Sequence, residues 1–391
     1  MKLDLGLLAL AVGAFGIGVT EFTPMGLLPV IATDLGVSIP AAGLLISTYA
    51  LGVMIGAPVM ILTTGRIGRR TLLIGLAGIF TLGNVLAALS GSYGMLLSAR
   101  VLTSLNHGAF FGVGSIVAAG LVSAERRASA VATMFMGLTV ATVVGVPTAT
   151  WVGEQLGWRT SFWGIAGFGL LTMAALRFTL PALPATSGQG ALGELKVLTR
   201  NEVLGALALT VIGSSAMFAV FTYVVPILRS EAKASLSFVT AMLVVYGVGL
   251  TIGNWLGGRF ADRSVDRTLI VTLAGLTAVL IVFALLMHDS ALVPPLIFLW
   301  GVASFALVPP LQVRVMTAAA DAPNLASAVN IGAFNLGNAF GAALGGGVIE
   351  AGFGYPAVAL AGAATSAVGL VVLLFVSPRA NAENEVCPAA N

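Results

Sequence analysis

A single acidic residue, Glu21, lies in the middle of a long apolar segment that begins near Leu5. No other charged residue lies within ten positions of it on either side. If this segment crosses a lipid bilayer, an ionised carboxylate there is costly, so we expect Glu21 to face a wet cavity, to pair with a cation or to carry a proton. The alternative is a structural carboxyl group that stays hydrogen-bonded throughout.

Three further polar residues share one face of a later apolar segment. Ser104 and His107 follow Arg100 at i+4 and i+7, so the three side chains lie on one side of a helix and are expected to line one interior surface, with Ser104 as part of the predicted substrate cavity. His107 is a candidate proton relay. The alternatives are an arginine that extends toward the lipid headgroups and a histidine that makes a structural hydrogen bond only.

Amide and aromatic side chains form a second candidate group, predicted to line a substrate cavity. Asn330, Phe334 and Asn338 stand at i, i+4 and i+8, which places them on one helix face. Aromatic walls suit an apolar or ring-bearing solute. The alternatives are amides that join helices and aromatic residues that fill a core. The aromatic candidates are Tyr49, Phe218, Phe221 and Tyr246.

The composition indicates which elements hold these residues. Hydrophobic residues make up 58% and charged residues 8% of the 391 positions, and the mean hydropathy is +1.04. An average soluble domain is about a quarter charged, so the chain is predicted to be an integral membrane protein. Its basic residues are spread over short loops, which argues against a nucleic-acid surface. The single cysteine, Cys387, excludes an intrachain disulfide, and no metal-ligand pattern is present in the sequence.

Twelve apolar stretches are long enough to cross about 30 Å of hydrocarbon as helices. Continuous runs of this length favour helices over the alternating strands of a membrane barrel, so the predicted fold class is all-α. With both termini in the cytoplasm, fourteen basic residues lie on the inner side and three on the outer side, which predicts this orientation. The predicted spans are residues 5–31, 40–62, 71–90, 94–120, 128–152, 160–180, 203–228, 236–257, 268–287, 291–314, 326–349 and 355–377.

The two halves of the chain are predicted to be copies. A shift of 197 residues aligns Tyr49 with Tyr246, Gly52 with Gly249, Arg66 with Arg263 and Arg70 with Arg267. Chance apolar similarity would not also align the loop arginines, so we expect two pseudo-symmetric six-helix bundles with a site between them. The predicted divisions are a first bundle at 1–180, a cytoplasmic linker at 181–202, a second bundle at 203–378 and a cytoplasmic tail at 379–391.

Several motifs resemble those of the major facilitator superfamily. The loop Gly65-Arg66-Ile67-Gly68-Arg69-Arg70 and its copy Gly258-Arg259-Phe260-Ala261-Asp262-Arg263 resemble the signature loop of that superfamily. Gly145-Val146-Pro147 resembles the antiporter motif of proton-driven drug exporters. The run Thr20-Glu21-Phe22 with the following Gly26-Leu27-Leu28-Pro29 is similar to the bacterial branch of arabinose-type sugar, purine-nucleoside and drug efflux proteins.

The resemblance implies roles for several residues. It makes the first and fourth spans neighbours, so that Arg100 would modulate the charge of Glu21. The chain has Gly65 where the superfamily loop usually carries an aspartate and Ile61 where it carries a glycine, whereas the second copy keeps Gly258 and Asp262. An acid that latches the gate is therefore expected in the second half. The candidate gating residues are Arg66, Arg69, Arg70, Gly145, Pro147, Asp262 and Arg263, with topology anchoring as the alternative for the arginines.

The sequence lacks a nucleotide-binding loop, and its inner loops are too short for an ATPase domain, so the proton gradient is the expected energy source and no cofactor is expected. We predict a monomeric antiporter of the bacterial inner membrane that exports a small organic molecule, such as a drug, a sugar or a nucleoside, in exchange for protons. The alternatives are a proton-coupled importer of a sugar or nucleoside and, from another class, a membrane-embedded enzyme or a sensor.

Overall fold

A computed structural model of the protein describes residues 4–64, 66–123, 127–182, 195–321 and 323–376. These residues are helical, as predicted, and no strand occurs among them. The long helices, numbered in chain order, are α1 (Leu5–Leu35), α2 (Ile39–Thr64), α3 (Arg69–Ala88), α4 (Tyr93–Gly120), α5 (Arg127–Val140, Ala141–Gly145 and Val146–Leu156), α6 (Trp158–Thr179), α7 (Asn201–Phe221 and Val224–Ser230), α8 (Leu236–Ala261), α9 (Val265–Leu286), α10 (Val293–Ala306 and Val308–Ala318), α11 (Pro323–Glu350) and α12 (Gly354–Val376).

Eleven of these elements, within the described ranges, are long and apolar enough to cross a membrane. The twelfth, α11, has 28 residues, which is ample length for a span. Its asparagines and glycines lower its hydropathy, as is typical of a helix that faces a protein interior rather than lipid. The predicted fold class, an all-α membrane protein with twelve spans, is confirmed.

Polar caps define the ends of several helices. The Asp4 carboxylate accepts hydrogen bonds from the amides of Gly6 and Leu7 at the start of α1. Ser92 and Ser235 cap α4 and α8 in the same manner. At the end of α1, Gly36 adopts φ 63°, the left-handed conformation that glycine accepts without strain. Short connections follow, so consecutive helices run in opposite directions.

The two bundles repeat the same packing. In the first, α2 packs on α4, α3 on α6, and α1 on α5; in the second, α8 packs on α10, α9 on α12, and α7 on α11. Equivalent positions meet at equivalent places, because Gly52 packs against Ser104 and Gly249 packs against Gly301, each pair shifted by 197 residues. The duplication seen in the sequence is thus a duplication of helix contacts.

One apolar core lies within the first bundle, and a second lies in the second bundle and extends across the interface to Phe22, Met25 and Ile46 of the first bundle. The bundles meet mainly where α2 packs against α11 and α5 packs against α8, and where the end of α1 touches the second piece of α7. We call the face at which α1 begins the terminal face, and the opposite face the distal face. Most of the predicted linker, and all of the predicted tail, fall outside the described residues.

Candidate functional site

Glu21 lies in α1 near the interface of the two bundles and lines a central cavity. Its side chain is buried, with 7% of the residue's surface exposed. Pro24 follows three positions later, in the interior of the same helix. A proline has no amide hydrogen to donate to the carbonyl four residues earlier, so Pro24 leaves the Thr20 carbonyl without its helical partner.

Arg100 of α4 supplies the missing donor. Its Nη1 donates to the Thr20 carbonyl at 2.7 Å, and its Nη2 donates to the Glu21 carbonyl at 3.4 Å. The arginine is almost fully buried, at 1% exposure, which contradicts the alternative of a side chain that extends to the headgroups. In this conformation Arg100 binds the main chain of α1 beside Glu21, and among the described residues it forms no ion pair.

Tyr49 of α2 links Arg100 to the carboxyl group. The Arg100 guanidinium carbon lies 4.0 Å from the centre of the Tyr49 ring, a cation–π contact. The Tyr49 hydroxyl lies 3.1 Å from His107 Nδ1, and the same nitrogen lies 4.0 Å from Glu21 Oε2. Three buried groups therefore lie in a row: Glu21, His107 and Tyr49. A small movement of the Glu21 or the His107 side chain brings the carboxyl group within hydrogen-bond distance of the imidazole.

The central cavity has a volume of about 260 Å³. Its lining comes from both bundles and lies between the middle of the molecule and the terminal face. Among the described residues, Glu21 is the only carboxylic acid in the lining, which also contains six phenylalanines. The aromatic and polar lining residues are Phe22, His107, Phe111, Phe135, Thr139, Thr142, Phe218, Thr251, Asn254, Phe305, Phe334, Asn335 and Asn338.

The amides of α11 give the cavity unused hydrogen-bonding capacity. The Asn335 and Asn338 side-chain oxygens are buried and have no hydrogen-bond partner within the described part of the chain. Buried polar atoms are normally paired, so an unpaired group beside a cavity is suited to bind a ligand or water. A molecule in this cavity would meet acceptors, a carboxyl group and aromatic faces.

The predicted cavity residues separate into two groups in the structure. Phe218, Phe334 and Asn338 line the cavity. Asn330 instead makes hydrogen bonds to Thr210 and Gln312. The remaining four are packed away from the lining: Ser104 donates to the Val101 carbonyl, Phe221 and Tyr246 stack on each other with ring centres 4.6 Å apart, and Tyr49 contacts Arg100 and His107.

Sequence reasoning missed Phe111 and Asn254 of the lining. Phe111 lies four residues after His107 on α4, and its ring centre is 5.2 Å from that of His107. Helical spacing from His107 would have found Phe111. Asn254 of α8 has no such neighbour, because Tyr246 on the same helix does not line the cavity.

The distal side of the cavity is closed by contacts between the bundles. Arg229 of α7 donates to Glu154 of α5 at 2.7 Å. The Ser47 hydroxyl of α2 donates to the Ala339 carbonyl of α11 at 3.1 Å. Gly43 of α2 packs against the Tyr223 hydroxyl, which leaves no space for a side chain there. No pattern in the sequence predicted this closure.

The gating candidates of the terminal face make few contacts across the bundles. Arg66, Asp262 and Arg263 are exposed, and Arg70 donates to the Leu180 carbonyl at 3.1 Å within its own bundle. Arg69 also interacts with another group of the protein. Two other acids form ion pairs at this face, Asp266 with Arg314 of α10 and Asp321 with Arg200. Gly65, and the side chain of Ile61, lie outside the described part of the chain.

Gly145 and Pro147 lie at an irregular turn of α5. Residues Ala141–Gly145 form a π-helical turn, which precedes Pro147 at the start of the third piece of α5. π-Turns accommodate an extra residue within an α-helix, and such turns are frequent at functional sites. A side chain at position 145 would overlap Val19 of α1, so the glycine permits close contact between α1 and α5.

Comparisons with known proteins agree with this architecture. A family profile described as Major Facilitator Superfamily matches residues 10–330 and 207–386. The chain is 55% identical over 389 residues to the "Inner membrane transport protein YdhP" of Escherichia coli (strain K12), with both chains covered completely. It is 30% identical to a "Probable sugar efflux transporter" of Mannheimia succiniciproducens, covering 94% of this chain and 93% of that protein.

A solved structure shares the fold. It is that of a bacterial homologue of the human lysosomal transporter Spinster, in an inward-facing and unoccupied conformation. The TM-score is 0.70, the sequence identity is 15%, and 96% of each chain is covered.

Proposed function

Because this chain belongs to the Major Facilitator Superfamily of membrane transporters, we propose that it is a proton-coupled antiporter that exports a small organic molecule across the bacterial inner membrane. The observation that carries the proposal is the position of Glu21, the only carboxylic acid among the described residues that line the central cavity, beside His107. A titratable group within a membrane span is a candidate ion carrier. The efflux function named for one relative supports export as the direction.

The cavity lining favours a substrate of a particular kind. Six phenylalanine rings can stack on a ring-bearing or apolar body, and the free oxygens of Asn335 and Asn338 can accept hydrogen bonds from hydroxyl or amino groups. Glu21 adds an acidic charge, and no basic side chain of the described residues lines the cavity apart from His107. We therefore expect an uncharged or cationic molecule with an aromatic or apolar part, and we expect organic anions to bind poorly.

Antiport follows if the proton and the substrate compete for Glu21. An ionised carboxylate needs water, a cation or a hydrogen-bond donor, and is costly in a closed apolar interface. Either a proton or the donor groups of a substrate can satisfy it, so the protein changes conformation with one or the other bound. With the predicted orientation, the cavity described here opens to the cytoplasm, where Glu21 releases its proton and the substrate enters.

His107 and Tyr49 have a positioning role in this scheme. The Tyr49 hydroxyl and Glu21 both approach Nδ1 of His107, and the Tyr49 ring contacts the buried guanidinium of Arg100. Arg100 is occupied by the main chain of α1 and the ring of Tyr49. A change in the charge of Glu21 would therefore act on Arg100. Arg100 in turn replaces the hydrogen bond that Pro24 cannot donate to the Thr20 carbonyl of α1.

The test uses Glu21→Gln in vesicles that contain the purified protein and a fluorescent cationic aromatic dye. A neutral glutamine cannot release a proton, so we expect dye transport driven by a pH gradient to fall to the level of empty vesicles. Exchange of labelled for unlabelled dye without a gradient should persist, because the substrate can still bind and cross. Glu350→Gln, which changes an exposed acid at the end of α11, is the matched control and should transport as the wild type does.

Gradient-driven transport by Glu21→Gln at the wild-type rate would contradict the carrier role of Glu21. Loss of both exchange and gradient-driven transport, with normal folding, would assign Glu21 to substrate binding rather than to coupling. If the wild type accumulates dye in response to a gradient in the direction of proton flow, the protein is a symporter and the export proposal is wrong.

A further inference from the structure

A second large concavity lies on the outer surface of the second bundle, away from the central cavity. It is a groove of about 800 Å³ between α8, α9 and α10, and no described residue lines both this groove and the central cavity. Its walls are almost entirely apolar, with exposed Val271 and Leu299 on opposite sides. In a membrane this surface faces the acyl chains of lipid.

Small residues create the groove. Gly257 of α8 packs directly against the main chain of Ala306 in α10, so the floor is formed by backbone and carries no bulky side chain. On α9, Gly275 has no atom within 4 Å of the position its Cβ would take. A larger side chain at position 275 would therefore occupy the groove without touching the rest of the protein.

Two arginines lie at the end of the groove near the terminal face. Arg263 and Arg267 both line it, both are exposed, and within the described residues neither forms an ion pair. Arg263 lies beside the ring of Phe260, with 5.9 Å between its guanidinium carbon and the ring centre. The nearby acids do not neutralise this end, because Asp266 is paired with Arg314 and Asp262 does not line the groove.

The dimensions of the groove match one leaflet of a membrane. The apolar part of the groove on α9 runs from Val271 to Val282, which is about 17 Å at about 1.5 Å per residue. The hydrocarbon of one leaflet is about 15 Å thick. The arginines thus lie at the level of the headgroups when the apolar part of the groove spans the acyl chains.

We propose that this groove binds one anionic phospholipid, whose phosphate is held by Arg263 and Arg267 and whose acyl chain lies along Gly275. Arginine binds phosphate with paired hydrogen bonds, and basic residues at a membrane surface favour anionic over zwitterionic lipids. The equivalent place in the first bundle is different. Arg70, the counterpart of Arg267, donates to the Leu180 carbonyl, so that arginine is already engaged by the protein.

Native mass spectrometry of the delipidated full-length protein tests the site. With dioleoylphosphatidylglycerol we expect one tightly held lipid per protein. Dioleoylphosphatidylcholine should bind at least roughly tenfold more weakly. Arg263→Gln with Arg267→Gln should weaken phosphatidylglycerol binding roughly tenfold. Arg66→Gln with Arg70→Gln, the counterpart pair in the first bundle, is the matched control and should bind the lipid as the wild type does.

The acyl part of the site is tested separately. Gly275→Trp should displace the lipid, whereas Gly167→Trp on α6, also exposed and without neighbours within 4 Å, should not. Circular dichroism reports whether each variant folds, and Gly275→Leu serves if the tryptophan prevents folding. Three results would each overturn the proposal. The first is equal binding of the two lipids, and the second is an equal loss of phosphatidylglycerol affinity in the two arginine double variants. The third is displacement of the lipid by soluble glycerophosphate as readily as by phosphatidylglycerol.

Discussion

Arg100 is a buried cation whose hydrogen bonds go to main-chain carbonyls rather than to a carboxylate. The reason is local, because Pro24 removes the amide hydrogen that would bind the Thr20 carbonyl. The buried carbonyl would otherwise remain unpaired, which costs about 1–3 kcal/mol. Arginine and proline therefore form a functional pair, although they belong to different helices.

A double-mutant cycle measures this pairing. Arg100→Met should lower the stability of the protein more when residue 24 is proline than in the Pro24→Ala background, where the alanine amide can bind the Thr20 carbonyl. We expect the two substitutions to be coupled by about 1–2 kcal/mol, in proportion to one hydrogen bond to a buried group. Thermal unfolding in detergent gives the four midpoints, and strictly additive shifts would show that Pro24 does not determine the role of Arg100.

Single residues differ in how clearly the sequence distinguishes them. Glu21, Arg100 and His107 could be identified because an ionisable group in an apolar segment is rare and costly, so its presence needs a local cause. Phe22 and Phe135 could not, because a phenylalanine that lines a cavity has the same sequence context as one that faces lipid. Asn330 was a cavity candidate with the joining of helices as its alternative, and its hydrogen bonds to Thr210 and Gln312 agree with that alternative. Helical spacing gives the face of an amide, but not which neighbour binds it.

At the scale of single elements, the π-turn of α5 is a point at which the two bundles touch closely. Gly247 of α8 packs on it, and a Cβ at that position would lie 2.8 Å from the Thr142 carbonyl oxygen and 2.9 Å from the Val143 Cα. Both neighbours are backbone atoms, so they cannot rotate away. In this relative position of the bundles, the irregular turn of α5 leaves no space for a side chain at position 247 of α8.

Gly247→Ala should therefore separate α5 from α8 and disfavour the present conformation without unfolding either bundle. Ser47→Cys, made together with Cys387→Ser, reports the change, because Ser47 is a buried residue of the distal closure. We expect an impermeant thiol reagent added to whole cells to label the cysteine introduced at position 47 several-fold faster in Gly247→Ala. Gly258→Ala on the same helix, whose Cβ would meet only Pro309 at 4.0 Å, is the matched control and should leave the rate unchanged.

Unchanged labelling in Gly247→Ala would show that the contact between α5 and α8 does not limit opening. The resemblance to the antiporter motif made Gly145 and Pro147 gating candidates, and Gly145 packs closely against Val19 of α1. The sequence did not predict the partner on α8, because a glycine at position 247 is one of 49 in the chain and its spacing carries no sign of the neighbour it meets.

At the scale of the whole molecule, an ion pair between Arg229 and Glu154 joins the bundles at the distal face. Glu154 is the more buried partner, with 13% of its side chain exposed, against 35% for Arg229. Partial burial makes such a pair worth more than a fully exposed one, which contributes at most about 1 kcal/mol. Even a modest contribution matters if the two conformations of a transporter differ by only a few kcal/mol.

Glu154→Gln should open the distal face more often, with faster thiol labelling at position 47 in the same Ser47→Cys reporter background. Exchanging the charges, with Glu154→Arg and Arg229→Glu together, should restore slow labelling, because the pair is re-formed in the opposite sense. High salt screens the ion pair, so it should accelerate labelling in the Ser47→Cys reporter protein that keeps Glu154. The same salt should have less effect on the Glu154→Gln variant, which lacks the pair. Equally slow labelling in the single variant would show that the contacts around Tyr223 close this face unaided.

The overall architecture was the most predictable part of the molecule. Span number and the duplication depend on properties summed over twenty residues or more, so local errors cancel, and the 197-residue shift reappears as matched helix contacts such as Gly52 with Ser104 and Gly249 with Gly301. The state of the cavity depends instead on a few contacts between distant segments, for example Arg229 with Glu154, and neither partner is distinguished in the sequence from other loop charges.

The duplication also sets an energetic limit on the proposed transport cycle. The counterpart of Glu21 in the second half is Phe218, so the described lining of the cavity contains one carboxyl group where a symmetric ancestor could have held two or none. One proton per cycle supplies about 2.3 kcal/mol for each 100 mV of driving force. At about 1.4 kcal/mol per factor of ten, an uncharged substrate could then be concentrated at most roughly 40-fold for each 100 mV. A transporter of this design uses few protons per molecule exported and can maintain only a modest substrate gradient.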